Sequence, residues 1–506
     1  MSSFHQQYIK RILSARVYDV SKETRLHRAP LLSERLNNNV LMKREDEQLI
    51  FSFKCRGAFN RIFKLSEQQQ LRGVIAASAG NHAQGVALAA RHLGLPACIV
   101  MPQTTPAIKV DAVRALDAEA VLHGDDFNAA LEFALQLQQQ NNYTFIHPFD
   151  AEDTIAGQGT VGVEICQQHP NPIDAVFIPV GGGGLAAGVS AYMKYLRPSV
   201  RIIGVEPVDA ACMHAAIAAN RCVDLEQVGL FADGVAVRRA GDETFKVCRE
   251  FLDEIVLVTV DEMSSAIKDI FNDTRTLMEP AGALAVAGMK RYIQDNKLTG
   301  KTFIAINSGA NINFDRLRHV AERAEIGESR EALLAVTIPE EPGSFRRFCE
   351  VLGKRSVTEF NYRYSDKDKA CVFAGIELSG GEAERKEVID ALQRHDLQVL
   401  DMTHNDTAKL HVRHMIGGHA ALPNEKMYRF RFPERPGALY DFLSRVGEHW
   451  NISLFHYRNH GAAYGRVLVG LQLLDSAEAE LDKFISELGF VSEDENDNEA
   501  IALFLR

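Results

Sequence analysis

A lysine stands among apolar residues in the stretch IFSFKCRG, residues 50–57. Most lysines are exposed, and one with apolar neighbours usually extends its stem until the charge reaches solvent. If the amine of Lys54 is buried instead, its pKa falls and it becomes an effective nucleophile. Lys54 is therefore the first residue with possible chemistry, and the stretch AFNRIFKL after it is predicted to form a helix.

A polar loop, SAGNHAQG at residues 78–85, follows the apolar run GVIAA and precedes a predicted helix. Consecutive backbone N–H groups there, with the Ser78 hydroxyl and the Asn81 amide, would bind a small anion such as a carboxylate. Taken alone, an ordinary capped helix start is the simpler interpretation. The loop is therefore a candidate anion site, and the rest of the chain decides between the two interpretations.

Two further loops also follow apolar runs. PVGGGGLAAG at 179–188 places four glycines between a predicted strand and a helix, so that the backbone is able to approach a phosphate group. It does not have the sequence of the common nucleotide-binding loops. INSGAN at 306–311 contains Ser308, whose hydroxyl would donate or accept a hydrogen bond at the end of a strand.

Together, these parts suit one cofactor. Pyridoxal phosphate needs an amine for its aldehyde, a phosphate site and a partner for its ring nitrogen. Lys54 supplies the amine, Gly181 to Gly184 supply the phosphate site, and Ser308 supplies an uncharged partner. The loop at 78–82 adds a pocket for the carboxylate of an amino acid.

The elements that must position these residues alternate between about residues 20 and 320. Continuous apolar strands separated by amphipathic helices predict an α/β domain with a mostly parallel sheet buried on both faces. Ligands of such sheets bind at the carboxyl ends of the strands, which is where the three loops follow. The runs predicted to be strands are GVIAAS at 73, PACIVMP at 96, DAVFIPVGG at 174, RIIGVEP at 201, IVLVTV at 255 and TFIAINSG at 302.

The last third of the chain repeats itself, because residues 337–378 align with residues 431–473. Each copy has the pattern strand, Pro-Gly turn, helix, strand, turn and strand. This pattern predicts two small ferredoxin-like βαββαβ modules of the α+β class. Matching positions include Pro339 and Pro433, Gly343 and Gly437, Tyr362 and Tyr457, and Gly375 and Gly470.

Two connecting segments suggest the domain boundaries. The first is a charged hinge at about 322–332, and the second is a linker at 415–426 that contains glycine and proline. We therefore expect a catalytic domain at residues 1–325 and two regulatory modules at 332–404 and 426–498.

Composition indicates a soluble globular protein. Of 506 residues, 46% are hydrophobic and 24% are charged, and the formal net charge of −11 argues against nucleic-acid and anionic-membrane partners. The eight cysteines include no C-x-x-C pair, which is typical of reduced thiols and a cytoplasmic location. No apolar run is long enough to span a bilayer.

The basic N-terminus, residues 1–20, resembles a transit peptide in having no acid before Asp19. It has no apolar signal-peptide core, however. The spacing of Tyr8, Ile9, Ile12 and Leu13 predicts a helix that packs on the fold. We favour the helix.

Five motifs resemble those of the fold type II (tryptophan synthase β-like) pyridoxal-phosphate enzymes, in the order found in that family. The two C-terminal copies resemble the ACT-like regulatory domains of the biosynthetic threonine deaminases (threonine dehydratases). The resemblance covers nearly the whole chain from about residue 20, and the departures at Cys55 and Asn307 remove no functional group. The motifs are SFKCRGA, SAGNHAQG, VGGGGLAAG, EPAGALA (279–285) and NSGANINF.

The resemblance implies a role for each matched residue. Lys54 is the catalytic residue that bonds to the cofactor aldehyde, Asn81 contacts the ring hydroxyl, and Ser308 faces the ring nitrogen. The phosphate is held by Gly181, Gly182, Gly183, Gly184 and Leu185. The substrate is bound by Ser78, Ala79, Gly80, Asn81 and His82. Effector contacts are expected from Phe345, Tyr362, Leu439 and Tyr457.

The implied activity is the conversion of L-threonine to 2-oxobutanoate and ammonia, the committed step of isoleucine biosynthesis. Lys54, once displaced by the substrate, would take the Cα proton as general base. The family also implies feedback inhibition by isoleucine, relief by valine, turnover of L-serine and a homotetramer.

Three alternatives remain open. A serine and threonine dehydratase of broader use would have the same fold, but the catabolic kind typically lacks the doubled module. A non-catalytic amino-acid sensor would have lost Lys54, Asn81 or Ser308, which are all present. A nucleotide-binding protein built on the glycine loop would bind ATP or NAD. No metal site is expected, and HVRH at 411–414 is predicted to be a polar helix face.

Overall fold

A computed structural model describes residues 3–327, 331–339, 344–353, 355, 357–362, 368–414, 424–433, 451–458, 464–473 and 478–505. They form two compact units, Met1–Ala324 and Glu325–Arg506. Among the described residues, none of the helices has the length and apolar character needed to cross a membrane. All eight cysteines are free thiols.

Parallel strands dominate the first unit, and each of the six apolar runs forms a strand as predicted. Four additional strands, β1, β2, β5 and β6, were not predicted, because they are short or carry charged residues. The strands are β1 (Leu26–Arg28), β2 (Asn39–Arg44), β3 (Val74–Ala77), β4 (Ala97–Met101), β5 (Glu119–Leu122), β6 (Thr144–Phe145), β7 (Ala175–Pro179), β8 (Arg201–Pro207), β9 (Glu254–Val258) and β10 (Thr302–Asn307).

The helices of this unit connect the strands, and the last one runs past the boundary of the unit. They are α1 (Ser3–Leu13), α2 (Pro30–Arg35), α3 (Lys54–Phe63), α4 (Glu67–Arg72), α5 (Asn81–Leu93), α6 (Ala107–Arg114), α7 (Phe127–Asn141), α8 (Glu152–Gln168), α9 (Gly184–Leu196), α10 (Cys212–Ala219), α11 (Asp242–Phe251), α12 (Val260–Thr274), α13 (Pro280–Asn296) and α14 (Leu317–Gly327). Three one-turn 3-10 helices lie at Glu45–Glu47, Asp233–Val235 and Phe314–Arg316.

The strands form two mostly parallel sheets. One has six strands in the order β1-β2-β10-β7-β8-β9, all parallel except β1, and the other has four parallel strands in the order β5-β4-β3-β6. Alternate residues of β7 enter different cores, with Val176 and Ile178 on one side and Ala175 and Phe177 on the other. The six-stranded sheet is therefore covered by helices on both faces.

The N-terminal segment forms helix α1, as predicted. Tyr8, Ile9 and Ile12 are buried against α8 and α9 of the large core, whereas Leu13 is 63% exposed. The prediction is therefore correct for three of the four apolar positions. Leu13 differs because it is the last residue of the helix.

The second unit contains two antiparallel four-stranded sheets with the same strand order, β12-β13-β11-β14 and β16-β17-β15-β18. This is the ferredoxin-like order predicted from the repeat. The strands are β11 (Glu331–Pro339), β12 (Val357–Tyr362), β13 (Lys369–Glu377), β14 (Gln398–Asp401), β15 (Glu425–Pro433), β16 (Asn451–Arg458), β17 (Tyr464–Gln472) and β18 (Val491–Asp494). The helices are α15 (Ser344–Leu352), α16 (Gly381–Arg394), α17 (Asp406–Leu410), α18 (Glu478–Glu487) and α19 (Glu499–Phe504), with a 3-10 turn at Val412–His414.

The two modules also share an irregularity in the register of their sheets. Gly375 faces Leu333 in the first module, and Gly470 faces Met427 at the equivalent position of the second. The register shifts between Val357 and Glu359, and it shifts again in the second copy between Ile452 and Leu454. Both copies thus have a bulge opposite the matching glycine.

A shared core joins the two modules, which the sequence did not reveal. One face of β11 packs on helices of its own module through Ala332 and Leu334. The opposite face, with Leu333 and Ala335, enters a cluster that also contains residues of the second module and Phe504 of α19. The two modules are therefore packed together within one unit.

Candidate active site

The three predicted loops all follow the carboxyl ends of strands in the first unit. Ser78 follows β3, Gly181 follows β7 shortly after its last residue, and Ser308 directly follows β10. β7 and β10 are neighbours in the six-stranded sheet, whereas β3 belongs to the four-stranded sheet. The predicted site therefore draws its residues from both sheets.

Lys54 is the first residue of α3, four residues earlier than the predicted helix start. It is partly buried, and its Nζ donates a hydrogen bond to the carbonyl oxygen of Pro148 at 3.1 Å. Loss of solvation lowers the pKa of Lys54 to about 8, although the negative charge of Glu279 opposes the shift. The amine is therefore available as a nucleophile near neutral pH.

Buried ion pairs hold the helix that carries Lys54. The guanidinium of Arg56 contacts Glu164 at 2.5 Å and Glu45 at 2.8 Å, and all three side chains are fully buried. Lys43 of β2 adds a second cation, 2.6 Å from Glu164. Although burial opposes ionisation of Glu45, Arg56 and Lys43 keep its pKa below the ordinary value. The cluster fixes the start of α3 to β2 and α8.

Two carbonyl oxygens of the glycine loop accept hydrogen bonds from side chains of other segments. The hydroxyl of Thr244 donates to the oxygen of Gly182 at 2.5 Å, and the thiol of Cys212 lies 3.5 Å from the oxygen of Gly181. Helix α9 begins at Gly184 without a side-chain cap, so its first N–H groups are left for a ligand. The loop thus offers backbone donors to an anion such as phosphate.

Side chains would not fit in this loop. A Cβ at Gly183 would lie 2.6 Å from Cε of Met213, and the φ of Gly183 is +98°, which favours glycine. A Cβ at Gly182 would strike the ring of Phe149. Because Phe149 follows Pro148, the same short segment contacts both the glycine loop and Lys54.

The loop at 78–82 presents backbone groups more than side chains. Helix α5 begins at Asn81, and its N-cap Gly80 makes no side-chain cap. The Ser78 hydroxyl accepts a hydrogen bond from the N–H of Gly80 at 3.3 Å. The ring of His82 is bound to the carbonyl oxygen of Ile146, so His82 offers its backbone N–H to a ligand.

Asn81 is the exception in this loop, because its side chain joins it to two other motifs. Its Nδ2 donates to Oε1 of Glu279 at 2.6 Å, and its Oδ1 accepts from Nδ2 of Asn311 at 2.6 Å. Glu279 belongs to EPAGALA and Asn311 to NSGANINF. Three of the five motifs therefore meet at one amide.

Ser308 is 4% exposed, and its hydroxyl donates to the carbonyl oxygen of Ala281 at 3.2 Å. A Cβ at Gly282 would strike the carbonyl oxygen of Gly309, so the motifs EPAGALA and NSGANINF pack tightly together. The hydroxyl of Ser308 is an uncharged group near the other motifs. Its neighbour Asn307 points away from it toward Met42.

Sequence reasoning missed several residues that shape the site. Glu279 lay in a matched motif but had no assigned role, and its place before a helix-starting proline was the available signal. Thr244 and Phe149 lie in no motif and are brought in by the fold alone. The same holds for Lys109 and Asp233, whose charges lie 2.6 Å apart beside Glu279.

The expected effector residues fall largely outside the structural description. Leu439 lies outside the described residues, and the side chains of Phe345, Tyr362 and Tyr457 are likewise not described, although their backbones belong to α15, β12 and β16. These roles stay predictions.

The expectation of a polar face at HVRH was wrong for His411. This residue is fully buried, and its Nδ1 lies 2.7 Å from Nδ1 of His456 in the second module. The fold buries it because the 3-10 turn after α17 packs into the shared core through Val412. Among the described residues, no group of three or more possible metal ligands is present.

The site residues fit pyridoxal phosphate. A desolvated amine, backbone donors at a helix start with no room for side chains, and an uncharged hydroxyl are the groups that this cofactor requires. Lys54, the segment Gly181–Leu185, Asn81 and Ser308 would hold it.

Comparison with known families agrees with this fit. Residues 17–309 match a family described as pyridoxal-phosphate dependent enzyme, and residues 322–412 and 417–505 match the C-terminal regulatory domain of threonine dehydratase. The expected fold class, a fold type II catalytic domain with regulatory modules, is therefore confirmed.

Individual relatives match along nearly the whole chain. The biosynthetic L-threonine dehydratase IlvA of Pasteurella multocida is 52% identical over 501 residues, covering 99% of this chain and 97% of that protein. The IlvA protein of Escherichia coli is 52% identical over 500 residues, with the same coverage. The structure of the processed form of threonine deaminase isoform 2 from Solanum lycopersicum is 48% identical and has a TM-score of 0.63, covering 64% of this chain and 94% of that one. The chain belongs to the biosynthetic threonine dehydratases, which are pyridoxal-phosphate dependent enzymes with a C-terminal regulatory region.

Proposed function

We propose that this protein converts L-threonine to 2-oxobutanoate and ammonia with pyridoxal phosphate, and that it also accepts L-serine. The observation that carries the proposal is the placement of Lys54. Its amine has a lowered pKa and is bound to Pro148, whose neighbour Phe149 packs on the glycine loop. Two adjacent residues, Pro148 and Phe149, thus contact the nucleophilic amine and the proposed phosphate-binding loop.

The residues of the chain have separate tasks in this reaction. The backbone N–H groups of residues 78–82 bind the substrate carboxylate, and Gly181 to Leu185 bind the cofactor phosphate. The bound cofactor supplies an electron sink for the negative charge that develops at the substrate Cα. The amine of Lys54, when it is not bonded to the cofactor, would remove the Cα proton of the substrate as general base.

Ser308 favours elimination over other outcomes. Its hydroxyl is uncharged and cannot hold a proton on the ring nitrogen as a carboxylate would. With such a partner the cofactor would supply a weaker electron sink, which would favour loss of the β-hydroxyl over transamination. Addition of water to the released product gives 2-oxobutanoate and ammonia.

The doubled module suits feedback control by an amino acid. We infer that isoleucine inhibits the enzyme and that valine opposes isoleucine, with effector contacts at Phe345, Tyr362, Leu439 and Tyr457. We further propose a homotetramer in the cytoplasm, a catalytic domain at residues 1–325 and regulatory modules at 332–404 and 426–498. The matches of residues 322–412 and 417–505 to a regulatory family support the effector role.

The test is the initial rate of 2-oxobutanoate formation against threonine concentration, with and without isoleucine, and with valine added back. Serine is assayed in parallel. A sigmoidal curve shifted to higher threonine by isoleucine is expected. Activity without an isoleucine response would contradict the feedback proposal and leave a broader dehydratase. Protein that binds no pyridoxal phosphate and has no activity would contradict the enzyme itself.

A further inference from the structure

Glu279 is a buried carboxylate beside the cofactor-binding residues, and nothing in the mechanism above uses it. Its side chain is 4% exposed, and it lies at the N-cap of α13, where Pro280 begins the helix. Its N–H donates to the carbonyl oxygen of Gly309 at 3.3 Å. A buried carboxylate needs hydrogen bonds to offset its lost solvation, so the identity of its partner is informative.

That partner is Asn81. The Nδ2 of Asn81 donates to Oε1 of Glu279 at 2.6 Å, which is a short, charge-assisted distance. A Cβ at Gly309 would strike the same oxygen, so glycine at this position leaves room for the carboxylate. The contact therefore joins SAGNHAQG to EPAGALA, and the glycine of a third motif, NSGANINF, makes room for it.

A second contact fixes which way the Asn81 amide faces. Nδ2 of Asn311 donates to the carbonyl oxygen of Ile50 at 2.8 Å and to Oδ1 of Asn81 at 2.6 Å. Because a carbonyl oxygen only accepts, the amide of Asn311 must present its nitrogen, and Asn81 must present its oxygen to Asn311. The nitrogen of Asn81 then faces Glu279.

We propose that Glu279 is a positioning residue: by accepting one N–H of the Asn81 amide, it directs the other N–H toward the ring oxygen of the cofactor. Nδ2 has two N–H groups, and one of them is taken by the carboxylate. The remaining one is pre-oriented, so that no rotational freedom of Asn81 is lost when the cofactor binds. The inference rests on the proposed function, since it assigns Asn81 to the ring oxygen.

Three charged groups next to Glu279 form a separate cluster. Lys109 and Arg316 both approach Asp233, at 2.6 and 3.6 Å. Burial raises the pKa of Glu279 most strongly, and the charge of Asp233 raises it further. Lys109, Asn81 and Arg316 lower it, and the resulting pKa is about 7. Lys109 and Arg316 are both paired with Asp233, and the hydrogen bond to Glu279 comes from the neutral amide of Asn81.

The experiment is a double-mutant cycle on the affinity of the full-length protein for pyridoxal phosphate, measured by titration of the cofactor-free protein and followed by visible absorbance. E279A is expected to weaken binding about 10- to 100-fold, as for loss of a hydrogen bond to a charged group. N81A should weaken it at least as much. If Glu279 acts through Asn81, E279A added to N81A has little further effect. Additive losses would overturn the proposal.

Two further variants separate positioning from folding. E279Q keeps an acceptor oxygen at the same place and is expected to bind the cofactor more tightly than E279A. D269N is the matched control, because Asp269 is another buried carboxylate of this unit. Its carboxylate lies 2.5 Å from Nζ of Lys290, and neither residue belongs to one of the five motifs. D269N should lower the melting temperature but leave cofactor affinity unchanged. Equal affinities for E279A and D269N would overturn the proposal, whereas an unaltered protein that binds no cofactor would refute the proposed function first.

Discussion

Nζ of Lys54 lies 3.1 Å from the carbonyl oxygen of Pro148, in a partly buried position that lowers the pKa of the amine to about 8. An exposed lysine has a pKa of about 10.4. The shift has the sign expected of burial, because the ammonium loses more solvation than the neutral amine. It makes the reactivity of Lys54 dependent on pH within the range where enzymes work.

Cofactor attachment to Lys54 should therefore follow pH. Below pH 8 the ammonium dominates, so the rate of attachment to cofactor-free protein should rise about tenfold per pH unit and level off above about pH 8. Stopped-flow absorbance from about pH 6.5 to 10 measures this rate, with Nα-acetyl-lysine as the control for ionisation of the cofactor itself. A rate that keeps rising to about pH 10 would show an ordinary exposed lysine.

Replacement of Lys54 by alanine should abolish turnover while the phosphate cradle still binds the cofactor. We expect a loss of at least about a thousandfold in kcat, because both the covalent attachment and the general base are removed. Mass spectrometry after borohydride reduction should find the cofactor attached to the unaltered protein and absent from K54A. Cofactor attached in K54A would assign the bond to another lysine.

A methyl group in the glycine loop should weaken cofactor binding beyond its effect on folding. Gly183 and Gly94 both have positive φ, but a Cβ at Gly183 would lie 2.6 Å from Met213 whereas a Cβ at Gly94 would meet nothing. Alanine at either position is expected to cost about 1–2 kcal/mol of stability. Only G183A should also lose cofactor affinity, by about tenfold or more, in a titration of cofactor-free protein. Equal affinities of G183A and G94A would contradict the role of the loop.

The buried ion cluster should stabilise the fold because each of its charges has a partner of opposite charge. Replacing Glu164 by glutamine keeps the shape but leaves Arg56 and Lys43 without a shared counter-charge in a fully buried position. We expect a loss of about 3–5 kcal/mol in the free energy of unfolding, measured from urea transitions of the full chain. K246A is the control, since it removes the exposed pair with Glu243 and should cost about 1 kcal/mol or less. Similar losses in the two variants would contradict this prediction.

The shared core of the two modules should make their response to effectors cooperative. Phe504 of α19, the helix that follows the second module, and Phe373 of the first module are in edge-to-face contact, with ring centroids 5.6 Å apart. F504A should therefore lower the Hill coefficient of isoleucine inhibition and leave the rate without isoleucine unchanged. V491A, at a position 43% exposed, is the control. An unaltered Hill coefficient in F504A would indicate that each module responds alone.

Much of the fold could be predicted because it depends on local patterns. The six apolar runs became buried parallel strands since an uninterrupted apolar stretch has no polar face to expose. The repeat predicted two similar modules, and the structure adds a matching bulge near Gly375 and Gly470. By contrast, β2 was missed because Lys43 and Arg44 end an otherwise apolar strand. Arg44 is paired locally with Asp46, but the partner of Lys43, Glu164, lies 121 positions away in the chain.

The sequence by itself predicted which residues would carry the chemistry, because four glycines, an amide and a hydroxyl follow predicted strands and a lysine stands among apolar residues. Only the tertiary structure decided how they act together. The contact of Asn81 with Glu279 spans 198 positions of the chain, and that of Lys54 with Pro148 spans 94. Such contacts leave no local periodicity in the sequence, since they are set by how two sheets and their loops pack. The same reason hid the burial of His411, whose partner His456 belongs to the other module.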